Sequence, residues 1–134
     1  MTFKNEMDTN KVKIFKKGLL DKEAVVKFDN GGYYICFAKI NPSGSEECEV
    51  TSLDKMVEAG DIPQVNFIKM DIEGAEIHAI KGAKNTIKKY KPKLSIAVYH
   101  EYENASAIRD LVLSYRQDYK VSFGGCYVWE KELI

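Results

Sequence analysis

The sequence predicts an α/β fold with a mostly parallel sheet, antiparallel hairpin additions and helices on both faces. Residues 65–70 form an apolar run that ends in an acidic turn, and apolar residues then recur at helical spacing up to Tyr90. Residues 94–99 form a second continuous apolar run, which is typical of a strand buried on both faces. Glycine pairs at 31–32 and 124–125 separate short β-rich runs and indicate two hairpins. Strands that alternate with helices favour a parallel sheet covered by those helices.

Composition indicates one globular domain, which we place at 11–134 after a frayed polar lead at 1–10. The chain has 134 residues and is 45% apolar, which is ordinary for a folded protein. Its 20 basic and 20 acidic side chains cancel, so no overall field attracts nucleic acid or an anionic membrane. The apolar runs are far shorter than the roughly 20 residues that span a bilayer, and the Lys-rich start lacks an apolar signal core. We therefore expect a cytoplasmic protein with neither a nucleic-acid nor a membrane partner.

The first part of the chain is predicted to consist mainly of β structure. Apolar residues alternate with lysine in 11–20, as expected of a strand with one exposed face. Strands at 25–28 and 33–37 should form a hairpin, because the Asn and Gly residues between them tolerate positive φ. The polar stretch 41–49 contains proline, glycine and serine and is predicted to be a loop. Residues 51–54 resemble a capping box, in which the Thr51 hydroxyl would cap a short helix ending at Gly60.

The second part alternates between strands and helices. In order, we predict a strand, a helix stopped by Lys91-Pro92, a second strand, a helix capped by Asn104 and a hairpin. The predicted bounds are 65–71, about 75–90, 94–99, a helix beyond 104, and 120–123 with 126–129.

Three carboxylates and a histidine are the candidate functional residues. Asp71, Glu73 and Glu76 follow the first apolar strand, and His100 follows the next one. In open α/β sheets ligands bind beyond the carboxyl ends of the strands, so these side chains should lie at the functional edge. Asp71 and Glu73 could remove a proton from a hydroxyl or hold a divalent cation, and His100 could act as a base.

A structural role explains some of the same residues. Asp71 and Glu76 could cap the helix that begins near Ala75, with Gly74 forming a tight turn. Lys69 interrupts an otherwise apolar strand, so it should either point toward the crevice or pair with a carboxylate. His78 lies within the helical pattern and is interpreted as structural.

The motif at 67–76 has the core Lys-x-Asp-x-Glu-Gly-x-Glu, and 80–83 continues it as Ile-Lys-Gly-Ala. In these residues the sequence resembles the FkbM family of S-adenosylmethionine-dependent methyltransferases. The resemblance extends through Lys91-Pro92-Lys93-Leu94 and upstream to 50–54 and 18–21, so that it covers about 11–129. It implies a Rossmann-like class I methyltransferase sheet, S-adenosylmethionine as cofactor and O-methylation of a sugar or small metabolite. It further implies that Asp71 and Glu73 face the methyl acceptor.

One part of the family pattern is missing from this sequence. The family resembles enzymes in which a glycine loop of the Asp-x-Gly-x-x-x-Gly type, after the first strand, holds the cofactor. An acidic residue after the second strand holds the ribose. Aligned on 67–76, the chain begins near the family's third strand. The resemblance therefore implies the carboxyl-terminal part of a methyltransferase, inactive alone because the groups that orient the cofactor are missing.

Three hypotheses follow. The chain is part of a methyltransferase; or it is a non-catalytic binding or assembly module with a degenerate methyltransferase fold; or Asp71, Glu73 and His100 form a small metal site for hydrolysis. In the family's sheet the strand at 65–71 is central, and without its first-strand neighbour it has an open edge. The strand at 12–17 or the hairpin at 25–37 could cover that edge, or two copies could form a dimer there.

Overall fold

The computed structural model describes residues 11–29, 39–99 and 103–124. In these residues the strands are β1 (Gly18–Leu19), β2 (Ala24–Asp29), β3 (Lys39–Ile40), β4 (Glu46–Thr51), β5 (Phe67–Met70) and β6 (Lys93–Ile96). The helices are α1 (Leu53–Glu58), α2 (Glu76–Lys81), α3 (Lys84–Tyr90) and α4 (Asn104–Tyr115). The fold is the predicted mixed α/β class, with both parallel and antiparallel strand pairs.

The first sheet has four strands in the order β1-β4-β2-β3. β1 runs parallel to β4, and β2 runs antiparallel to both β4 and β3. The predicted loop at 41–49 is confirmed for 41–45 and wrong beyond it, because β4 begins at Glu46 and forms the centre of this sheet with β2. Its acidic residues are exposed, whereas Cys48 is half-buried and Val50 is buried. This is the pattern of a strand with one buried face, and the glutamates on the exposed face make it resemble a polar loop in sequence.

Two strand predictions in this region need correction or fall outside the described residues. The strand predicted at 11–20 is reduced to Gly18–Leu19, since residues 12–17 have no regular structure. β2 confirms the first arm of the predicted hairpin. The second arm at 33–37 and the lead at 1–10 lie outside the described residues.

The second sheet pairs β5 with β6 in parallel, with Ile68 beside Leu94. Both strands were predicted, although the structure makes each one shorter. The backbone ladder extends past β6, because the Ala97 amide donates to the Met70 carbonyl at 2.9 Å. One face of this sheet, carrying Ile68 and Met70, packs into the hydrophobic core formed with the helices; the other core residues are Leu53, Val65, Ala79, Ile80, Ala83, Ile87, Ile108 and Val112.

The helix predicted at 75–90 is two helices that meet at Gly82 and Ala83. A Cβ atom on Gly82 would lie 1.9 Å from the Leu20 carbonyl oxygen, so the chain beyond β1 passes directly against this glycine. The Gly82 carbonyl in turn accepts a hydrogen bond from the Asp54 amide at 2.9 Å. Gly82, where the helix breaks, is therefore the point at which α1 and the residues after β1 contact the α2–α3 pair.

Helix capping differs from the prediction at two helices. Ser52, not Thr51, caps α1 by accepting from the Lys55 amide at 3.2 Å. Asp54 caps α3 across the fold, because its carboxylate accepts from the amides of Asn85 and Thr86 at 2.8 and 2.7 Å. Asn104 does not precede α4 as its cap; it is the first residue of that helix, and its side chain is buried.

The carboxyl-terminal hairpin is not seen in the described residues. Residues 120–123 are not in a strand, which corrects the first arm of that prediction. The second arm at 126–129 lies outside the described residues. Among the helices that the structure describes, none has the length and apolar character needed to cross a membrane.

Asp118 connects the segment after α4 to the end of α3. Arg116 donates to both oxygens of the Asp118 carboxylate, at 2.9 and 2.8 Å, and Lys91 donates at 2.6 Å. The third guanidinium nitrogen of Arg116, Nη1, donates to the Lys88 carbonyl at 2.8 Å. The hydrogen bonds from Arg116, and then those from Lys91, hold the pKa of Asp118 well below its usual range.

This lowered pKa predicts an acid-dependent contribution to stability. A carboxyl whose folded-state pKa is depressed stabilises the protein above its unfolded-state value near 3.8, and this stability is lost as pH falls through the folded-state pKa. We expect Asp118→Asn to be less stable than the native chain at neutral pH and the difference to shrink below about pH 4. Urea unfolding of both proteins across this range measures the effect.

Asp110→Asn is the matched control, because Asp110 pairs with its sequence neighbour Arg109 within α4, whereas Asp118 accepts from two residues and connects two segments. An isolated exposed pair of this kind contributes little. A gap between Asp118→Asn and the native chain that stays constant from neutral pH into acid would contradict the prediction.

Candidate active site

The acidic turn lies where β5 ends and consists of Asp71, Ile72, Glu73 and Gly74. Glu73 has φ 57° and Gly74 has φ 98°, so two consecutive residues adopt left-handed backbone. This conformation is natural for glycine and uncommon for glutamate. The chain reverses here and enters α2 at Glu76. The turn therefore holds a non-glycine residue in an unusual conformation at the carboxyl end of a parallel strand, where ligands bind in such sheets.

Glu76 supports the turn from inside the protein. Its side chain is completely buried, and its Oε1 accepts a hydrogen bond from the Ile72 amide at 2.9 Å. The N-cap of α2 is Ala75, which offers no side-chain cap. Glu76 does not cap α2 as predicted. Its carboxylate accepts instead from a backbone amide of the preceding turn. Glu76 is a structural residue and does not face solvent.

Asp71 is accessible to solvent, and its carboxylate accepts a hydrogen bond from a side chain. The Tyr99 hydroxyl donates to Asp71 Oδ1 at 2.9 Å, and Lys69 Nζ lies 3.9 Å from Asp71 Oδ2. The side chain of Asp71 remains 34% exposed, so solvent or a ligand can still reach it. The prediction that Lys69 pairs with a carboxylate is confirmed by this contact. Glu73 is half-buried in the same turn.

Tyr99 was missed by the sequence reasoning, which selected the adjacent His100. Met70 pairs with Ile96, so Asp71 lies beside Ala97 and one step diagonally from Tyr99 on the same face. In each apolar run, alternate residues lie on the same face of the strand. This alternation was the sequence signal that could have predicted the contact. His100 lies outside the described residues, so its proposed role as a base stays a prediction. In the parts of the chain that the structure describes, no group of three His, Cys, Asp or Glu side chains is arranged to hold a metal.

An open cavity of about 1030 Å³ lies along β6 and α4. Its lining includes apolar side chains of both elements and the segment 118–124, and Tyr99 borders it. Tyr99 therefore connects this cavity to Asp71. A carboxylate has about four lone-pair sites, so Asp71 can accept a further proton or hydrogen bond beside its contacts with Tyr99 and Lys69.

A polar contact outside the turn fixes the far end of α2. His78 Nδ1 lies 3.0 Å from Asp21 Oδ2, which agrees with the structural role predicted for His78. The hydrogen bond from His78 is the main reason that the pKa of Asp21 is lowered. This contact joins α2 to the residues that follow β1.

Comparison with known proteins finds methyltransferases that are similar to this chain in sequence and in fold. The Methyltransferase FkbM domain matches residues 18–121. The chain is 36% identical over 50 residues to Hexuronic acid methyltransferase AglP of Haloferax volcanii, a match that covers 37% of this chain and 21% of that protein. Its fold is similar to the crystal structure of Methyltransferase FkbM from Methylobacillus flagellatus KT, with a TM-score of 0.65 and 28% identity.

These matches cover only part of each relative's length. The structural match covers 88% of this chain but 27% of the Methylobacillus flagellatus chain. The chain thus spans about a quarter or less of the length of these two relatives. The family match, in contrast, covers most of the chain and includes the whole acidic turn. The chain therefore belongs to the FkbM family of methyltransferases.

Proposed function

We propose that this chain forms the acceptor-binding part of an S-adenosylmethionine-dependent O-methyltransferase that acts on a sugar or small metabolite. The observation that carries the proposal is the Asp71 carboxylate, held at the end of β5 by the Tyr99 hydroxyl at 2.9 Å. Methyl transfer to a hydroxyl requires the loss of its proton, and a positioned carboxylate can accept that proton. Glu73 and His100 are the further candidates at this edge of the sheet.

The proposed acceptor class is a hydroxylated acid of the sugar type. The Haloferax volcanii relative is described as a hexuronic acid methyltransferase. A hexuronic acid carries hydroxyl groups and a carboxylate. Lys69 lies on the same face of β5 as Asp71, and its side chain is 66% exposed. It offers a positive charge for the acid while Asp71 faces the hydroxyl.

The described residues do not fit the cofactor by themselves. The turn after β5 has one glycine and two carboxylates, which is unlike a glycine-rich loop that presents backbone amides. A loop of the Asp-x-Gly-x-x-x-Gly type does not occur in the 134 residues. When bound in the family's enzymes, S-adenosylmethionine supplies the methyl group. We therefore propose that this chain alone does not catalyse transfer.

Two titrations of the 134-residue chain test the proposal. We expect no heat from S-adenosylhomocysteine in calorimetry. With methyl glucuronoside, we expect amide shifts at 69–76 and Tyr99 in NMR spectra, because this acceptor should bind beside the turn. Asp71→Asn should weaken the binding about tenfold, since a hydrogen bond to a charged group is lost.

Tyr99→Phe is the matched variant, because it removes only the hydroxyl that fixes Asp71. It should weaken the binding less than Asp71→Asn does. Micromolar binding of S-adenosylhomocysteine would contradict the proposed inactivity of the chain alone. Amide shifts that are absent, or that persist unchanged in Asp71→Asn, would contradict the acceptor site.

The second candidate is a non-catalytic binding or assembly module. Phe67, on the same exposed face of β5 as Lys69, is 58% exposed and favours this alternative. Burial of an aromatic side chain of this size against a partner would be favourable.

A further inference from the structure

The aromatic ring of Tyr99 is held beside the acidic turn by its own hydroxyl. That hydroxyl donates to Asp71 Oδ1 at 2.9 Å, which fixes the polar tip of the side chain. Tyr99 is still 61% exposed, so much of its apolar ring remains accessible. A side chain whose tip is already bonded loses little conformational freedom when a ligand packs against its ring. Tyr99 therefore forms a preorganised apolar surface next to the candidate carboxylate.

The place of this ring is set by the register of two strands. The Ala97 amide donates to the Met70 carbonyl at 2.9 Å, so the parallel pairing of β5 with β6 continues up to the acidic turn. Two residues further along, Tyr99 reaches Asp71. Both residues lie at the carboxyl ends of the strands, where ligands bind in open α/β sheets.

Three chemically different groups follow one another at this position. They are the Tyr99 ring, the Asp71 carboxylate and the Lys69 ammonium, which lies 3.9 Å from Asp71 Oδ2 on a side chain that is 66% exposed. A sugar acid in its pyranose form has a matching set, namely an apolar face of C–H groups, hydroxyl groups and a carboxylate. An open-chain hydroxy acid has the hydroxyl groups and the carboxylate but no such face.

We propose that Tyr99 is a specificity-determining residue, whose ring packs against the C–H face of a pyranose and selects a cyclic sugar acid over an open-chain hydroxy acid. The inference rests on the proposed acceptor site at Asp71 and narrows its substrate class. Removing apolar C–H surface from water against an aromatic ring is favourable. Asp71 and Lys69 offer the same polar contacts to both classes of acid, so the preference comes from the ring.

NMR titrations of the 134-residue chain with methyl glucuronoside and with gluconate compare the two classes. Both ligands carry hydroxyl groups and a carboxylate, but gluconate has no pyranose ring. We expect the native chain to bind methyl glucuronoside about fivefold more tightly than gluconate. The C–H protons of bound methyl glucuronoside should also move upfield, because they lie over an aromatic ring.

Two variants of Tyr99 separate its ring from its hydroxyl. Tyr99→Phe and Tyr99→Leu both lack the hydroxyl that donates to Asp71, but Tyr99→Phe keeps the ring. Tyr99→Phe should weaken both ligands alike and keep the preference and the upfield shift, whereas Tyr99→Leu should lose the preference and the shift. Phe67→Leu is the matched control, since Phe67 is a similarly exposed aromatic residue, at 58%, at the other end of β5. It should change neither.

Equal affinity of the native chain for the two ligands, or no upfield shift, would overturn the proposal without any variant. A preference that Tyr99→Leu retains, or that Tyr99→Phe or Phe67→Leu abolishes, would overturn it as well. If any of these results occurs while Asp71→Asn still weakens binding, the acceptor site stands and the role of Tyr99 alone fails. If neither ligand binds, the acceptor site and the role of Tyr99 both fail.

Discussion

Replacing Gly82 with alanine is expected to destabilise the protein by about 3 kcal/mol, through overpacking against fixed backbone. The new Cβ would lie 1.9 Å from the Leu20 carbonyl oxygen, 2.8 Å from the Leu20 carbonyl carbon and 2.9 Å from the Ser52 Cβ. Gly82 has φ −72°, which alanine adopts without strain, so the effect comes from the collision alone. Separating these segments would disturb the bond from the Asp54 amide to the Gly82 carbonyl. Urea unfolding measures the loss.

Gly124→Ala is the control for this substitution. A Cβ atom on Gly124 would meet nothing within 4 Å, so the same chemical change should alter stability by less than about 0.5 kcal/mol. Equal stability of the two variants would mean that Leu20 and Gly82 are not in contact in solution.

Replacing Glu76 with alanine is expected to cost about 2 kcal/mol of stability and to release the acidic turn. The buried carboxylate accepts from the Ile72 amide at 2.9 Å, and alanine has no acceptor to replace it. The turn contains the left-handed residues Glu73 and Gly74, which need support from the surrounding structure. We therefore expect Glu76→Ala to shift the amide resonances of Ile72 and Glu73 as well as to lower the free energy of unfolding.

Glu76→Gln separates the hydrogen bond from the charge. The glutamine side chain keeps a carbonyl oxygen that can accept from Ile72, so it should keep most of the stability and the resonances of the turn. Equal losses in the two variants would contradict the hydrogen-bond explanation and would assign the effect to the buried carboxylate itself.

Prediction from sequence succeeded where one element carries its own signal. The strand ending at Asp71 and the turn at Gly74 were predicted, because a strand that packs on a core carries apolar residues such as Ile68 and Met70, and a left-handed turn favours glycine. The strand Glu46–Thr51 was missed, because glutamates on its exposed face resemble a polar loop. What makes it a strand is its pairing with β2, including Val26 beside Cys48.

The candidate site was likewise predicted where it depends on neighbouring residues and missed where it depends on distant ones. Asp71 was identified from its place after β5, but Tyr99 was not, because the two residues are 28 positions apart and their contact depends on the register of β5 with β6. Asp54 was predicted to complete the capping box of its own helix. In the structure it caps a helix that begins some 30 residues later.

The sequence by itself determined the order of the central βα elements, the family motif at 67–76 and the position of the acidic turn, since each depends on neighbouring residues. The tertiary structure decided the break at Gly82, the buried role of Glu76 and the bond between Tyr99 and Asp71. The physical reason is distance along the chain. A collision or a cross-strand hydrogen bond exists only when segments far apart in sequence meet, and no local pattern records that outcome.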